Sequence, residues 1–342
     1  MASRRQWRRV FITAIVVGAL AGCGAATPSG SPPTTTAPPT TVAGCPRFGS
    51  TTASGQPAVR PSGLVLLRNV QIQASACVDE VSFLFWKGTP SWSTGYQDGA
   101  LTLDPSGQPA PVPGTAHLVI RFQHASGTDL SVSPTQQAYD GPTEMTPGAP
   151  SALAGLRRLG DFEGVVTWAL GLPERRPFEV VTRGDHIVVR VGAATPRATS
   201  CDASGSGLRV GYPTDWYAEL STRWACRYFD PAPFVVYPAT DATDWAVTVA
   251  TAEAPAASVV SRTTAGATTR SHQTRVAGLA TTVLDVTTTG PGLYPPGWVF
   301  RMYVVDTIPT AFVITSRAAP AGAQADRYRA AADRIAGLVT RR

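Results

Sequence analysis

His117-Leu118-Val119-Ile120-Arg121-Phe122 alternates, with Leu118, Ile120 and Phe122 on the more apolar face. Successive side chains of a strand point to opposite faces, so this pattern marks a strand buried on one side. The stretches around it read alike. Leu64 to Gln73, Glu80 to Lys87, Thr115 to Gln123, Val165 to Leu170, Phe178 to Thr182 and Asp185 to Val191 are rich in Val, Ile, Phe and Leu. Gly, Pro, Ser and Asp separate them, as turns separate strands. Arg183-Gly184-Asp185, between two such runs, reads as a tight hairpin turn. Only Leu153 to Leu159 suggests a turn of helix. The chain from about Leu64 to Ala194 is therefore expected to be an all-β sandwich.

The pattern changes further on. Leu208 to Trp216 is a strand that breaks at Pro213, and Trp245 to Thr251 is a second strand. Ala254 to Ser261 reads as a short helix. Ala277 to Thr287, Trp298 to Asp306 and Ala311 to Ser316 read as antiparallel strands. From Gln324 to Thr340 the period is helical: Ala325, Tyr328, Ala332, Ile335 and Leu338 or Val339 share one face. Asp326, Arg327, Arg329, Asp333 and Arg334 lie largely on the other. The expected fold is thus two domains, an all-β sandwich over 45–194 and an α+β antiparallel sheet with a C-terminal helix over 195–342.

The N-terminus reads as an address. Arg4, Arg5, Arg8 and Arg9 precede an apolar run from Val10 to Leu20. That run is about half the roughly 20 residues a membrane-spanning helix needs, and it suits a secretory signal peptide over 1–22. It ends in Leu20-Ala21-Gly22-Cys23, which resembles a bacterial lipobox. The resemblance implies lipid on the Cys23 thiol, cleavage before it, and a place on the extracytoplasmic face of the cell membrane. Two or more acyl chains make such anchoring stable. Residues 23–44 form the expected tether: Gly24 to Val42 is almost all Gly, Ala, Ser, Thr and Pro, too little apolar surface to order itself.

Charge and cysteines bound the rest. The formal net charge is +6, and loss of the four signal-peptide arginines leaves about +2. No Lys/Arg run follows the signal, so there is no electrostatic footprint for nucleic acid. Cys45, Cys77, Cys201 and Cys226 remain, an even number in an exported chain, which reads as two disulfides with three conceivable pairings. Spacing favours Cys45 with Cys77 and Cys201 with Cys226, each bridge stabilising by about 3 kcal/mol in the chain-entropy picture. There is no C-x-x-C and no His at ligand spacing, so neither a metal nor any other cofactor is expected.

Several segments together carry a family resemblance. Cys77-Val78-Asp79-Glu80-Val81-Ser82-Phe83-Leu84-Phe85, Gly160-Asp161-Phe162-Glu163-Gly164-Val165-Val166, Arg175-Arg176-Pro177-Phe178 and His186-Ile187-Val188-Val189-Arg190-Val191 resemble, in order, the AMIN-like domain of actinobacterial lipoproteins. Related AMIN domains are β-sandwiches that localise envelope proteins, some by binding peptidoglycan, and no catalytic residues belong to the family. Cys77 stands where many members have Gly, and Trp86-Lys87-Gly88 replaces a more acidic stretch. The Val210 to Asp230 segment, with Gly292-Leu293-Tyr294-Pro295-Pro296-Gly297 and the terminal helix, is similar to PsbP-like domains, which implies a protein- or ligand-binding second half.

Two sites are candidates in the first half. Trp86, Trp92 and Tyr96 surround a hairpin, and aromatic faces beside a loop can stack on sugar rings. Against that, Trp86 and Tyr96 suit the core, leaving Trp92 exposed. Asp161 and Glu163 flank Phe162, a carboxylate pair of the kind that cleaves glycosides. The reading preferred here is a loop that solvates both charges and buries Phe162. For the histidines, His117, His124, His186 and His272, no G-x-S-x-G, H-E-x-x-H or phosphate loop offers a partner motif. The expectation is a non-catalytic envelope module that engages cell-wall polymer or an envelope protein. The alternative is a carrier whose second half holds a ligand in a pocket lined by Trp216, Trp224 or Tyr294.

Overall fold

The computed structural model describes residues 45–342 except 47, 51, 58–60, 194, 222–224, 237–244 and 291–293. The expected signal peptide over 1–22, Cys23, the expected tether over 23–44 and Trp224 lie outside the described residues. Residues 43–342 form one compact unit.

The first half opens with β1 (Thr52–Gly55), β2 (Val65–Ala74), β3 (Val78–Trp86), β4 (Ser91–Gln97) and β5 (Ala116–Gln123). Four two-residue strands follow: β6 (Ala125–Ser126), β7 (Thr128–Asp129), β8 (Gln136–Gln137) and β9 (Glu144–Met145). Two hairpins complete it, β10 (Gly155–Phe162) with β11 (Val165–Leu172) and β12 (Phe178–Arg183) with β13 (His186–Gly192). The order β1-β4-β5-β11-β10-β9 makes one sheet, and β12-β13-β3-β2 begins another. Residues two apart meet between them: Val81, Phe83 and Phe85 of β3, Leu118, Ile120 and Phe122 of β5, and Val166, Trp168 and Leu170 of β11 are all buried in one core. Phe83 packs 4.8 Å from Phe122 and 6.0 Å from Trp168, centroid to centroid. Leu153 to Leu159 is not helical but largely strand β10. Its leucines mislead because Leu156 enters the sandwich core, while Leu159 joins a second cluster formed where the 101–112 loop covers the opposite face.

The second half contributes β14 (Ser200–Ala203), β15 (Leu208–Gly211), β16 (Tyr217–Glu219), β17 (Tyr228–Asp230) and β18 (Val247–Ala252). Then come α1 (Ala256–Ala265), the hairpin β19 (Ala267–Val276) and β20 (Leu279–Thr288), and the hairpin β21 (Trp298–Asp306) and β22 (Ala311–Ser316). A short β23 (Ala319–Pro320), α2 (Ala323–Ala336) and β24 (Val339–Arg341) end the chain. The terminal helix is shorter than its pattern implies. It stops at Gly337, and Val339 is buried as part of a strand instead. On one face of the sheet α2 buries Ala332 and Ile335 against Val247, Phe312 and Ile314; on the other, α1 buries Val259 against Leu284 and Val304.

The halves have separate cores but one continuous sheet, in the order β12-β13-β3-β2-β16-β17-β18-β22-β21-β20-β19. The joint is short: Ala218 pairs with Ala74, Glu219 with Gln73, and Leu220 donates to Ile72 O at 2.8 Å. Side chains extend it. Asn69 Nδ2 donates to Val236 O at 2.9 Å and Gln73 Nε2 to Phe234 O at 2.7 Å, while Gln71 Oε1 accepts from Val236 N at 3.0 Å. Three amide side chains of β2 thus bond the backbone of a crossing strap, as another strand would. Disulfides link Cys45 to Cys77 and Cys201 to Cys226.

Candidate functional site

The site sits at one end of the sandwich and follows from strand alternation. Because Phe83 and Phe85 face the core, Trp86 must face out, and it is 54% exposed. Arg68, the extra residue at a register shift in β2, lies over the Trp86 ring at 5.6 Å, and Lys87 lies over it at 5.1 Å. The turn that follows needs positive φ at Lys87 (69°) and Gly88 (112°). Lys87 Nζ then donates to Asp129 Oδ2 at 2.9 Å and Ser131 Oγ at 3.3 Å. The Ser131 hydroxyl, and after it Lys87, hold the Asp129 carboxyl down at about 2.

That ion pair ties the Trp86 turn to a loop that exposes Leu130 and Val132. A third turn joins them. Phe162-Glu163-Gly164-Val165 closes the β10–β11 hairpin with positive φ at both central residues, 49° and 74°, as a two-residue primed turn requires. Asp161 Oδ2 accepts from Gly127 N at 2.8 Å, and Ala125 N donates to Gly164 O at 2.9 Å. So the turns at 86–88 and 162–164 both brace the 125–132 loop. Four of the six large apolar side chains exposed among the described residues lie on these loops: Trp86, Leu130, Val132 and Phe162. Apolar side chains exposed on neighbouring loops, with cations beside them, make this end a candidate binding surface.

The aromatic expectation is corrected here. Trp92 is opposite Phe122 and packs against the sandwich core, its ring so close over Gly55 that a Cβ there would lie 2.5 Å from it. Tyr96 also packs on the core; its hydroxyl donates to Arg176 O at 2.7 Å and accepts from Arg176 N at 2.8 Å. The exposed tryptophan is Trp86, and the inward run Val81, Phe83, Phe85 was the signal for it.

Phe162 is corrected too: it is 42% exposed, not a buried anchor. Asp161 is held by Gly127 N and by Arg158 at 3.6 Å, whereas Glu163 is exposed at the turn tip. The two carboxylates have different surroundings.

Among the histidines, sequence reasoning missed one contact. His186 Nδ1 is 2.9 Å from Ser82 Oγ, and burial lowers the imidazole's affinity for a proton. Ser82 lies mid-strand in β3 and His186 opens β13; β3 is flanked by β2 and β13, so its backbone is committed to ladders.

The fold of the first half is therefore a two-sheet β-sandwich whose loop end exposes apolar side chains. Residues 65–193 match the AMIN-like domain family, which supports an AMIN-like reading of this segment. No curated protein and no solved structure matches the chain.

Proposed function

We propose that this protein is a lipid-anchored, non-catalytic module of the cell envelope. Lipid on Cys23 fixes it to the outer face of the membrane, residues 24–42 give it reach, and the AMIN-like sandwich engages cell-wall polymer. The carrying observation is the AMIN-like segment with its exposed end of Trp86, Leu130, Val132 and Phe162, edged by Arg68 and Lys87. Peptidoglycan offers sugar faces for the indole and stem-peptide carboxylates for the cations.

The test uses residues 44–342, essentially the compact unit, in a pull-down on purified peptidoglycan. Trp86→Ala is expected to weaken retention about thirtyfold, as truncation of a central tryptophan does at interfaces. Equal retention of wild type and Trp86→Ala removes this surface from the reading; no retention of wild type even at low salt removes wall binding and favours a protein partner. Anchoring has its own test. Cys23→Ser should move the full-length protein from the membrane fraction to the medium, and continued membrane association would rule the lipid anchor out.

A further inference from the structure

A cleft of about 530 Å³ lies in the second half, well outside the AMIN-like segment, between α2 and the sheet. That volume is within the range of small-molecule sites. The sheet side supplies Trp216, which is almost wholly buried, and Asp230; α2 supplies Arg327, Tyr328, Ala330 and Arg334. Positions 327, 330 and 334 share one face of the helix, and the two arginines are about 10 Å apart along its axis. Alanine between them keeps the space open.

Charge distinguishes this face from the rest of α2. Arg329 pairs with Asp326, and Asp333 accepts from Arg301 and Tyr303. Neither Arg327 nor Arg334 has a carboxylate partner among the described residues, and both are exposed at the cleft's rim. Arg317 adds positive charge beside them, 5.4 Å over the Tyr328 ring. Opposite, Asp230 Oδ1 accepts from Ala232 N at 2.8 Å, and burial raises its pKa. The site therefore combines an aromatic floor, two unpaired guanidinium groups and a carboxyl acceptor. A ring with hydroxyl groups and one or two anionic substituents satisfies all three: apolar ring faces meet Trp216, hydroxyls donate to Asp230, and the anion takes the arginine forks.

We infer that this cleft binds a small anionic saccharide, a sugar acid or a sugar phosphate, independently of wall binding by the first half. The test is calorimetric titration of residues 44–342 with N-acetylmuramic acid and with glucose 1-phosphate, using N-acetylglucosamine and inorganic phosphate as controls. At least one anionic sugar should bind, at least tenfold more tightly than either control, and the better of the two identifies the anion. Arg327→Gln and Arg334→Gln should each weaken it about tenfold, the worth of one charge-assisted contact. Ala330→Phe should abolish binding by filling the space while the circular dichroism spectrum stays unchanged. No binding of either sugar at millimolar concentration overturns the inference. So does binding that ignores the arginine and Ala330 variants, or inorganic phosphate binding as well as the sugars.

Discussion

Asp79→Ala is expected to cost the fold about 3–5 kcal/mol, the usual result of removing one partner from a buried ion pair. Asp79 is fully buried, and Arg197 Nη1 donates to its Oδ2 at 2.6 Å. Ala152 N also donates to the carboxylate, at 3.2 and 3.3 Å to its two oxygens. Arg197 is only 17% exposed in its side chain and donates its other fork to Ser75 O at 3.0 Å. Alanine would strand a largely buried guanidinium and orphan the Ala152 amide in one step.

The place magnifies the effect. Ala193 N donates to Cys77 O at 2.7 Å and Arg197 N to Ala76 O at 2.8 Å, so the connection between the halves is laid along this turn. Burial raises the Asp79 pKa even against the opposing pull of Arg197, which shows how costly the site is for a lone charge. Urea denaturation should therefore rank wild type above Asp79→Asn, which keeps an acceptor for Ala152, and Asp79→Asn above Asp79→Ala. Asp79→Leu combined with Arg197→Met should recover most of the loss, because an apolar pair has no desolvation penalty. A loss below about 1 kcal/mol for Asp79→Ala would mean the pair is solvated and holds nothing.

How much of this was legible beforehand depended on which face each strand buries. Six first-half strands were readable because their apolar residues recur at period two or run continuously, and the structure has them as β2, β3, β5, β11, β12 and β13. β4, Ser-Trp-Ser-Thr-Gly-Tyr-Gln, hid the same period behind small polar residues. β19, Ala-Thr-Thr-Arg-Ser-His-Gln-Thr-Arg-Val, has almost no buried side chain and exists because the Ala277-Gly278 turn, with φ of 52° and 77°, folds it onto β20. No local pattern could reveal it.

The joint was equally silent, since a three-residue strand carries no period; only its pairing with β2 on one side and β17 on the other makes β16 a strand. The loop-end surface was half legible. Its residues were in view, but which tryptophan faces out required the register. Of the cleft only Trp216 was in view; its arginines and Asp230 required tertiary structure, because Trp216 and Arg334 are brought together only when α2 docks.

Glu219, at that joint, should make stability depend on pH in an unusual direction. It is fully buried on β16, and desolvation pushes its carboxyl up to about 7 despite the Ser221, Gln71 and Gln73 groups beside it. Oε1 accepts from Ser221 N at 2.9 Å and from the Ser221 hydroxyl, but Oε2 has no partner among the described residues. A carboxyl raised on folding favours the folded state wherever it is protonated. Its contribution is complete below the ordinary value near 4.5, falls as pH rises, and is gone above about 7. The size of the loss is about 3 kcal/mol.

Glu219→Gln is the clean comparison, because an amide reproduces the protonated acid in shape and charge. Near pH 4 the variant and wild type should have similar stability; at pH 8 the variant should be the more stable by up to about 3 kcal/mol. Asp79 and His186 also titrate with shifted values, but they do so in both proteins and cancel in the difference. Urea midpoints at pH 4, 6 and 8 therefore isolate the group. A difference that stays constant with pH would mean water reaches Glu219 and the joint is open; a difference that grows between pH 4.5 and 7 would mean the two halves are sealed together over a dry carboxyl.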